Sequence, residues 1–148
     1  MSASRQIVCL ACSGINRVPQ DRPAEAARCG RCKAPLFSGK PAEVDAAMLD
    51  RQVRQGEVPV LVDVWAPWCG PCRMMAPAFE AAAAALGSEM RLLKLNSDAE
   101  PETAARLGIR GIPTMILFAG GLEVARESGA MAAQQIFSWA RGKQAAIA

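Results

Sequence analysis

The chain of 148 residues suffices for one ordinary domain or a small domain with an appendage, and its 51% apolar, 21% charged composition is that of a folded globular protein. Histidine is absent, so no Ser–His or Cys–His pair exists; most hydrolase mechanisms are excluded, and only thiolates and carboxylates remain as metal ligands. The net charge of +3 is too small to argue for nucleic acid, yet it is uneven, with seven Lys/Arg against two Asp/Glu in residues 1–40 and ten against twelve in residues 41–148.

That asymmetry predicts a basic module followed by a slightly acidic body. Residues 1–37 hold four cysteines among Arg, Pro, Gly and Ala, with few large apolar side chains. So small a segment needs a staple to fold. Ser38-Gly39-Lys40-Pro41 reads as a linker, which divides the chain into a module at 1–37 and a domain at 38–148. A weak strand is expected near Pro41–Val44, then an amphipathic helix over Asp45–Arg54 stopped by Gly56. Val60–Trp65 is β-rich with almost no alternation, as a strand buried on both faces would be.

Strong helix formers run from Cys72 to Leu86, with Pro77 expected to kink the helix and Gly87 to end it. A strand at Arg91–Leu95 and a short helix at Pro101–Leu107 follow. Thr114–Ala119 and Leu122–Ala125 flank Gly120-Gly121, a hairpin signature, and Ala132–Ala145 forms a closing helix. Early alternation and a late hairpin imply an α/β fold, a mixed central sheet flanked by helices. No apolar run reaches the roughly 20 residues of a membrane span, and Met1–Leu10 lacks the apolar stretch of a secretory signal. A cytoplasmic protein without membrane contact is expected.

The six cysteines form three C-x-x-C pairs, which in a cytosolic chain point to metal binding or redox catalysis. Cys9/Cys12 and Cys29/Cys32, separated by 16 residues, have tetrathiolate zinc-ribbon spacing. Two disulfides or an iron–sulfur site are the alternatives. Four thiolates around zinc leave a charge of −2, which Arg28, Arg31 and Lys33 would offset, and the metal would supply the core this segment lacks. The ribbon is basic, but Phe37 is its only aromatic residue, which argues against a nucleic-acid partner. Cys69 and Cys72 differ in context, lying between the buried strand and the following helix. A cysteine at a helix N-terminus meets unpaired N–H groups that favour its thiolate. Cys69 is therefore expected as an exposed nucleophile and Cys72 as the shielded resolving thiol.

Leu61-Val62-Asp63-Val64-Trp65-Ala66-Pro67-Trp68-Cys69-Gly70-Pro71-Cys72-Arg73 closely resembles the active-site segment of thioredoxins. Lys94-Leu95-Asn96 and Gly108-Ile109-Arg110-Gly111-Ile112-Pro113-Thr114 resemble two further thioredoxin segments, and the upstream cysteines resemble the zinc-containing bacterial branch. The resemblance covers about residues 41–148. It implies a thioredoxin fold with a small zinc-ribbon-like N-terminal module, one structural zinc per chain and no organic cofactor. It also implies that Asp63 is a buried base behind Cys72, with Lys94 as its partner. Ile112-Pro113 matches the family's cis-proline, and Trp68, Gly70, Pro71, Ile112, Pro113, Gly129 and Ala130 would form an apolar surface for extended disulfide-containing substrates. The expected activity is protein-disulfide reduction, with a flavin-dependent thioredoxin reductase as electron donor. The alternative is a zinc-thiolate redox sensor or chaperone-like binding module.

Overall fold

In a computed structural model, which describes residues 3–146, the chain builds two sheets. The outermost residues of the two expected modules, 1–2 and 147–148, lie outside the described residues. Strands β1 (Ser4–Val8) and β2 (Ile15–Pro19) pair antiparallel in the cysteine-rich segment. Neither is evident from the sequence, because both are short and carry Arg, Gln or Asn between their apolar residues.

The larger sheet contains β3 (Ala42–Glu43), β4 (Val60–Trp65), β5 (Arg91–Asn96), β6 (Thr114–Ala119) and β7 (Leu122–Ser128), in the spatial order β3-β5-β4-β6-β7. β3, β5 and β4 run parallel; β6 and β7 add antiparallel. The β6–β7 turn places Gly120 at φ 62° and Gly121 at φ 82°, the positive values a two-residue type I′ turn requires at both positions.

β4 lacks alternation because both of its faces are covered. Val60, Val62 and Val64 pack with Leu93, Leu95 and Ile116 beneath Leu49 of helix α1 (Ala46–Gln55). Leu61, Met115 and Leu117 face the other way, against Met75, Phe79 and Leu86 of helix α2 (Gly70–Leu86) and Ile136 and Ala140 of helix α4 (Ala133–Ala146). Helix α3 (Pro101–Arg106) opens on a proline that needs no intrahelical donor. The Asp45 carboxylate caps α1 by accepting from the Met48 amide at 2.8 Å. Pro77 lies inside α2, as expected.

The cysteine-rich segment packs directly on this body. Its core of Ile7, Val18, Leu36 and Phe37 includes Val58, which precedes β4. The Arg91 guanidinium, at the start of β5, is 4% exposed and donates to the carbonyls of Leu36 and Val8, with Phe37 stacked 4.3 Å away. Gln52 of α1 donates to the same Val8 carbonyl at 3.0 Å.

Candidate functional site

Local geometry places Cys69 as the N-cap of α2. Its Sγ accepts from the Cys72 amide at 3.2 Å, and the two sulfurs are disulfide-linked. The Cys72 amide aimed at Cys69, at the positive end of α2, favours its thiolate once the bond is reduced. Cys69 is only 4% exposed and Cys72 3%, so the expected contrast between an exposed and a shielded sulfur is not present in the oxidised pair. Both pack with Ala66 and against Trp65 and Ile112. The reason is the loop that carries Ile112-Pro113, a cis bond, whose Ile112 carbonyl oxygen stands 3.7 Å from Cys69 Sγ.

Around this pair the surface is apolar and open. Trp68 is 67% exposed, and its Nε1–H donates to the Asp98 carboxylate at 2.9 and 3.2 Å. Pro71, Gly129 and Ala130 are exposed, while Gly70 and Ile112 are half-buried. The Gly129 amide donates to the Pro113 carbonyl at 2.9 Å and so ties the two loops together. Among the described residues, no intramolecular backbone hydrogen bond uses the Ile112 amide or carbonyl, which leaves both free for an incoming strand. Sequence reasoning missed Met74, 78% exposed one turn into α2, and Asp98, the brace of Trp68. Met74 carried no signal beyond its adjacency to the motif; Asp98 meets Trp68 only across 30 residues of chain.

Asp63 points from β4 to the face covered by α2, the same face as Leu61 and Trp65. It has no solvent exposure, and neither carboxylate oxygen has a hydrogen-bond partner. Burial therefore raises its pKa to about 7; Lys94 opposes the rise and Glu43 adds to it. Lys94 is opposite Asp63 in the β4–β5 register, but no ion pair within 4 Å joins them. Its Nζ instead lies 4.6 Å over the Trp65 ring. Register thus sets the two residues side by side, while the direction of the lysine side chain seats its cation over the indole rather than on the carboxylate.

The four upstream sulfurs converge. Cys9, Cys12, Cys29 and Cys32 place their Sγ atoms within 4.8 Å of one another, with Cys9–Cys32 and Cys12–Cys29 each at 3.6 Å. A tetrahedral zinc with bonds of about 2.3 Å requires sulfur separations of about 3.8 Å, so the donor set fits that ion. Two knuckles of one design achieve this. The Ser13 amide donates to the Cys9 carbonyl and the Lys33 amide to the Cys29 carbonyl, both at 2.9 Å, with Ser13 and Lys33 at φ 65° and 70°. Amides of Ala11, Gly14 and Arg31 point at the sulfurs of Cys9, Cys12 and Cys29, each at 3.4 Å.

The Asn16 side-chain amide, followed by backbone amides, holds the Cys29 thiol down to about 6. Although the Gly14 amide favours the Cys12 thiolate, desolvation and the neighbouring sulfurs push that group up to about 11. A cation among them would remove this conflict. Gly14 is the tight point of the centre, since a Cβ there would meet Cys12 Sγ at 3.1 Å and Cys29 Sγ at 3.4 Å. Gly14→Ala is expected to weaken zinc retention roughly tenfold, the lower end of the range for residues that orient ligands. Competition with a chromophoric chelator measures this.

Two family models match the chain. The family model "Thioredoxin" matches residues 40–142, and "Thioredoxin 2, N-terminal", a zinc ribbon, matches residues 8–34. Thioredoxin C-3 of Corynebacterium nephridii is 38% identical over 133 residues, covering 90% of this chain and 91% of that protein. Thioredoxin of Alicyclobacillus acidocaldarius is 50% identical over 86 residues, 58% of this chain and 82% of that protein. The solved structure of a mutant thioredoxin from Halobacterium salinarum superposes with a TM-score of 0.65 at 29% identity, covering 71% of this chain and 91% of that one. No helix among the described residues is long and apolar enough to cross a membrane. With the sheet order, the capped Cys69-x-x-Cys72 pair and these matches together, the chain belongs to the thioredoxin family of thiol–disulfide oxidoreductases.

Proposed function

We propose that this protein reduces disulfides in other proteins, in the cytoplasm, and that its N-terminal ribbon at residues 1–37 holds one structural zinc per chain beside a redox domain at 38–148. The observation that carries the reading is the placement of the Cys69–Cys72 pair at the start of α2, packed against Ile112 of the cis-proline loop, with the buried Asp63 on the sheet face that α2 covers. An extended substrate segment docks on Trp68, Gly70, Pro71, Ile112, Pro113, Gly129 and Ala130. The Cys69 thiolate attacks one sulfur of the target disulfide, forming a mixed disulfide and expelling the other sulfur as a thiolate. Asp63 takes the proton of Cys72, and the Cys72 thiolate attacks Cys69 Sγ. The second substrate sulfur then leaves, and Cys69–Cys72 closes with two electrons passed to the target. A thioredoxin reductase restores the dithiol with two electrons and two protons.

Zinc, held by Cys9, Cys12, Cys29 and Cys32, would neutralise thiolate charge and cross-link a segment too thin to fold alone. All four ligands come from the protein and leave no open position, which supports a structural role. The ribbon contributes no acid, base or nucleophile to the exchange.

Asp63 provides a separate test. A carboxyl whose folded-state pKa is raised to about 7 from 3.8 opposes folding once it ionises. The cost is absent below about pH 4, grows as pH rises and levels off above about pH 7, reaching at most roughly 4 kcal/mol. Asp63→Asn is therefore expected to raise stability at pH 8 while leaving it nearly unchanged at pH 4, read by urea unfolding at both pH values. The same variant is expected to slow resolution at least tenfold near neutral pH in single-turnover measurements. Unchanged resolution would remove Asp63 from the mechanism.

A further inference from the structure

Three charged side chains share one row of the sheet on the face toward α2. Strand register sets Glu43 of β3 opposite Lys94 of β5, and Lys94 opposite Asp63 of β4. Trp65, two residues beyond Asp63, projects to the same side. Its indole is engaged in two ways. The Nε1–H donates to both Glu43 carboxylate oxygens, at 3.0 and 3.3 Å, and Lys94 Nζ lies 4.6 Å over the ring. A carboxylate at the N–H edge and a cation over the face both match the indole's charge distribution. Asp63 receives neither interaction, and its oxygens stay without partners.

We propose that Glu43 is a positioning residue for the exchange reaction. By anchoring Trp65, and with it the seat of Lys94, it keeps the ammonium group off the Asp63 carboxyl, so that Asp63 can accept the Cys72 proton during resolution. A direct pair with Lys94 would fix Asp63 as an anion and weaken it as a base. The charged groups acting on Asp63 are Lys94 from β5 and Glu43 from β3, the first lowering and the second raising its proton affinity. β6 sets Met115 opposite it, and the α2 side chains packed on this face, Met75, Phe79 and Leu86, carry no charge. The reading of Asp63 as the base underlies this role.

The experiment follows the Asp63 carboxyl carbon by NMR titration in the oxidised full-length protein, with Asp63→Asn identifying its signal, alongside the pH profile of resolution. Glu43→Gln keeps an oxygen for the Trp65 N–H and removes only charge, whereas Glu43→Leu removes both. The Asp63 midpoint is expected to fall by roughly half a pH unit in Glu43→Gln and further in Glu43→Leu, where Lys94 is freed to approach. Adding Lys94→Gln to Glu43→Leu is expected to bring it back up. The midpoint of the resolution profile should move with it. An unmoved midpoint in both Glu43 variants, with Asp63→Asn slow, overturns the role of Glu43 and leaves the base reading intact. Wild-type resolution in Asp63→Asn overturns the base reading and this proposal together.

Discussion

Cys72→Ser is expected to abolish catalytic turnover and to leave Cys69 trapped as a mixed disulfide with its target. Attack requires only the Cys69 thiolate, and the donor that favours it survives the exchange: the amide of residue 72 still points at Cys69 Sγ. Release requires a second thiolate 3 residues on, which serine cannot provide. Mass spectrometry after incubation with a disulfide protein should show a stoichiometric adduct that maps to Cys69. A free Cys69, or an adduct on one of the ribbon cysteines, would refute the assignment of nucleophile.

Removing the metal is expected to melt the ribbon and leave the redox body folded but weakened. Structural zinc typically supplies about 10–16 kcal/mol of folding free energy in small modules, far more than the few apolar residues of this segment can replace. The body's response depends on the contact surface. Arg91 is buried and paired with the Leu36 and Val8 carbonyls, and a ribbon that unfolded while the body stayed closed around Arg91 would strand a charge. No charge is stranded, because the segment that buries Arg91 is the one that leaves, and water reaches the guanidinium as its partners depart. What the body loses is packing around Val58, the stack on Phe37, the Gln52–Val8 bond and surface hydrogen bonds such as Arg5–Ser88, Gln6–Glu57 and Ser88–Glu25, a cost of about 1–3 kcal/mol and several degrees in melting temperature. Hydrogen exchange after chelation, or in Cys29→Ser, should show lost protection throughout the ribbon and retained protection in β4, β5 and β6. Disulfide reduction should persist within a few-fold. Collapse of protection in β4 would show that the two parts fold as one unit.

Much of the architecture is legible in the chain because it is encoded locally. The unbroken apolar run Val60–Trp65 marks a strand covered on both faces, Asp45 and Gly56 bracket α1, and paired glycines mark the β6–β7 turn. The C-x-x-C pairs and the strand-to-helix position of Cys69 identify the chemistry, since thiolate activation and zinc ligation depend on residue type at short spacing. The carboxylate inside an apolar strand is likewise readable as an uncomfortable group. β1 and β2 are not, because both are short and carry Arg, Gln or Asn between their apolar residues.

Only the tertiary structure decided the partnerships that cross the chain. The resemblance pairs Lys94 with Asp63; register sets them side by side and the lysine charge acts on the carboxyl through space, while the cation itself rests over Trp65, whose indole N–H finds its acceptor in Glu43, 22 residues earlier. Asp98 braces Trp68, and Arg91 is spent on seating the ribbon. The shielding of Cys69 comes from the Ile112 loop, 43 residues away. The physical reason is common to all of these. Periodicity and capping act within a few residues, whereas side-chain direction, burial and the choice among competing charged partners are set by sheet register and loop closure, which no short stretch of sequence specifies.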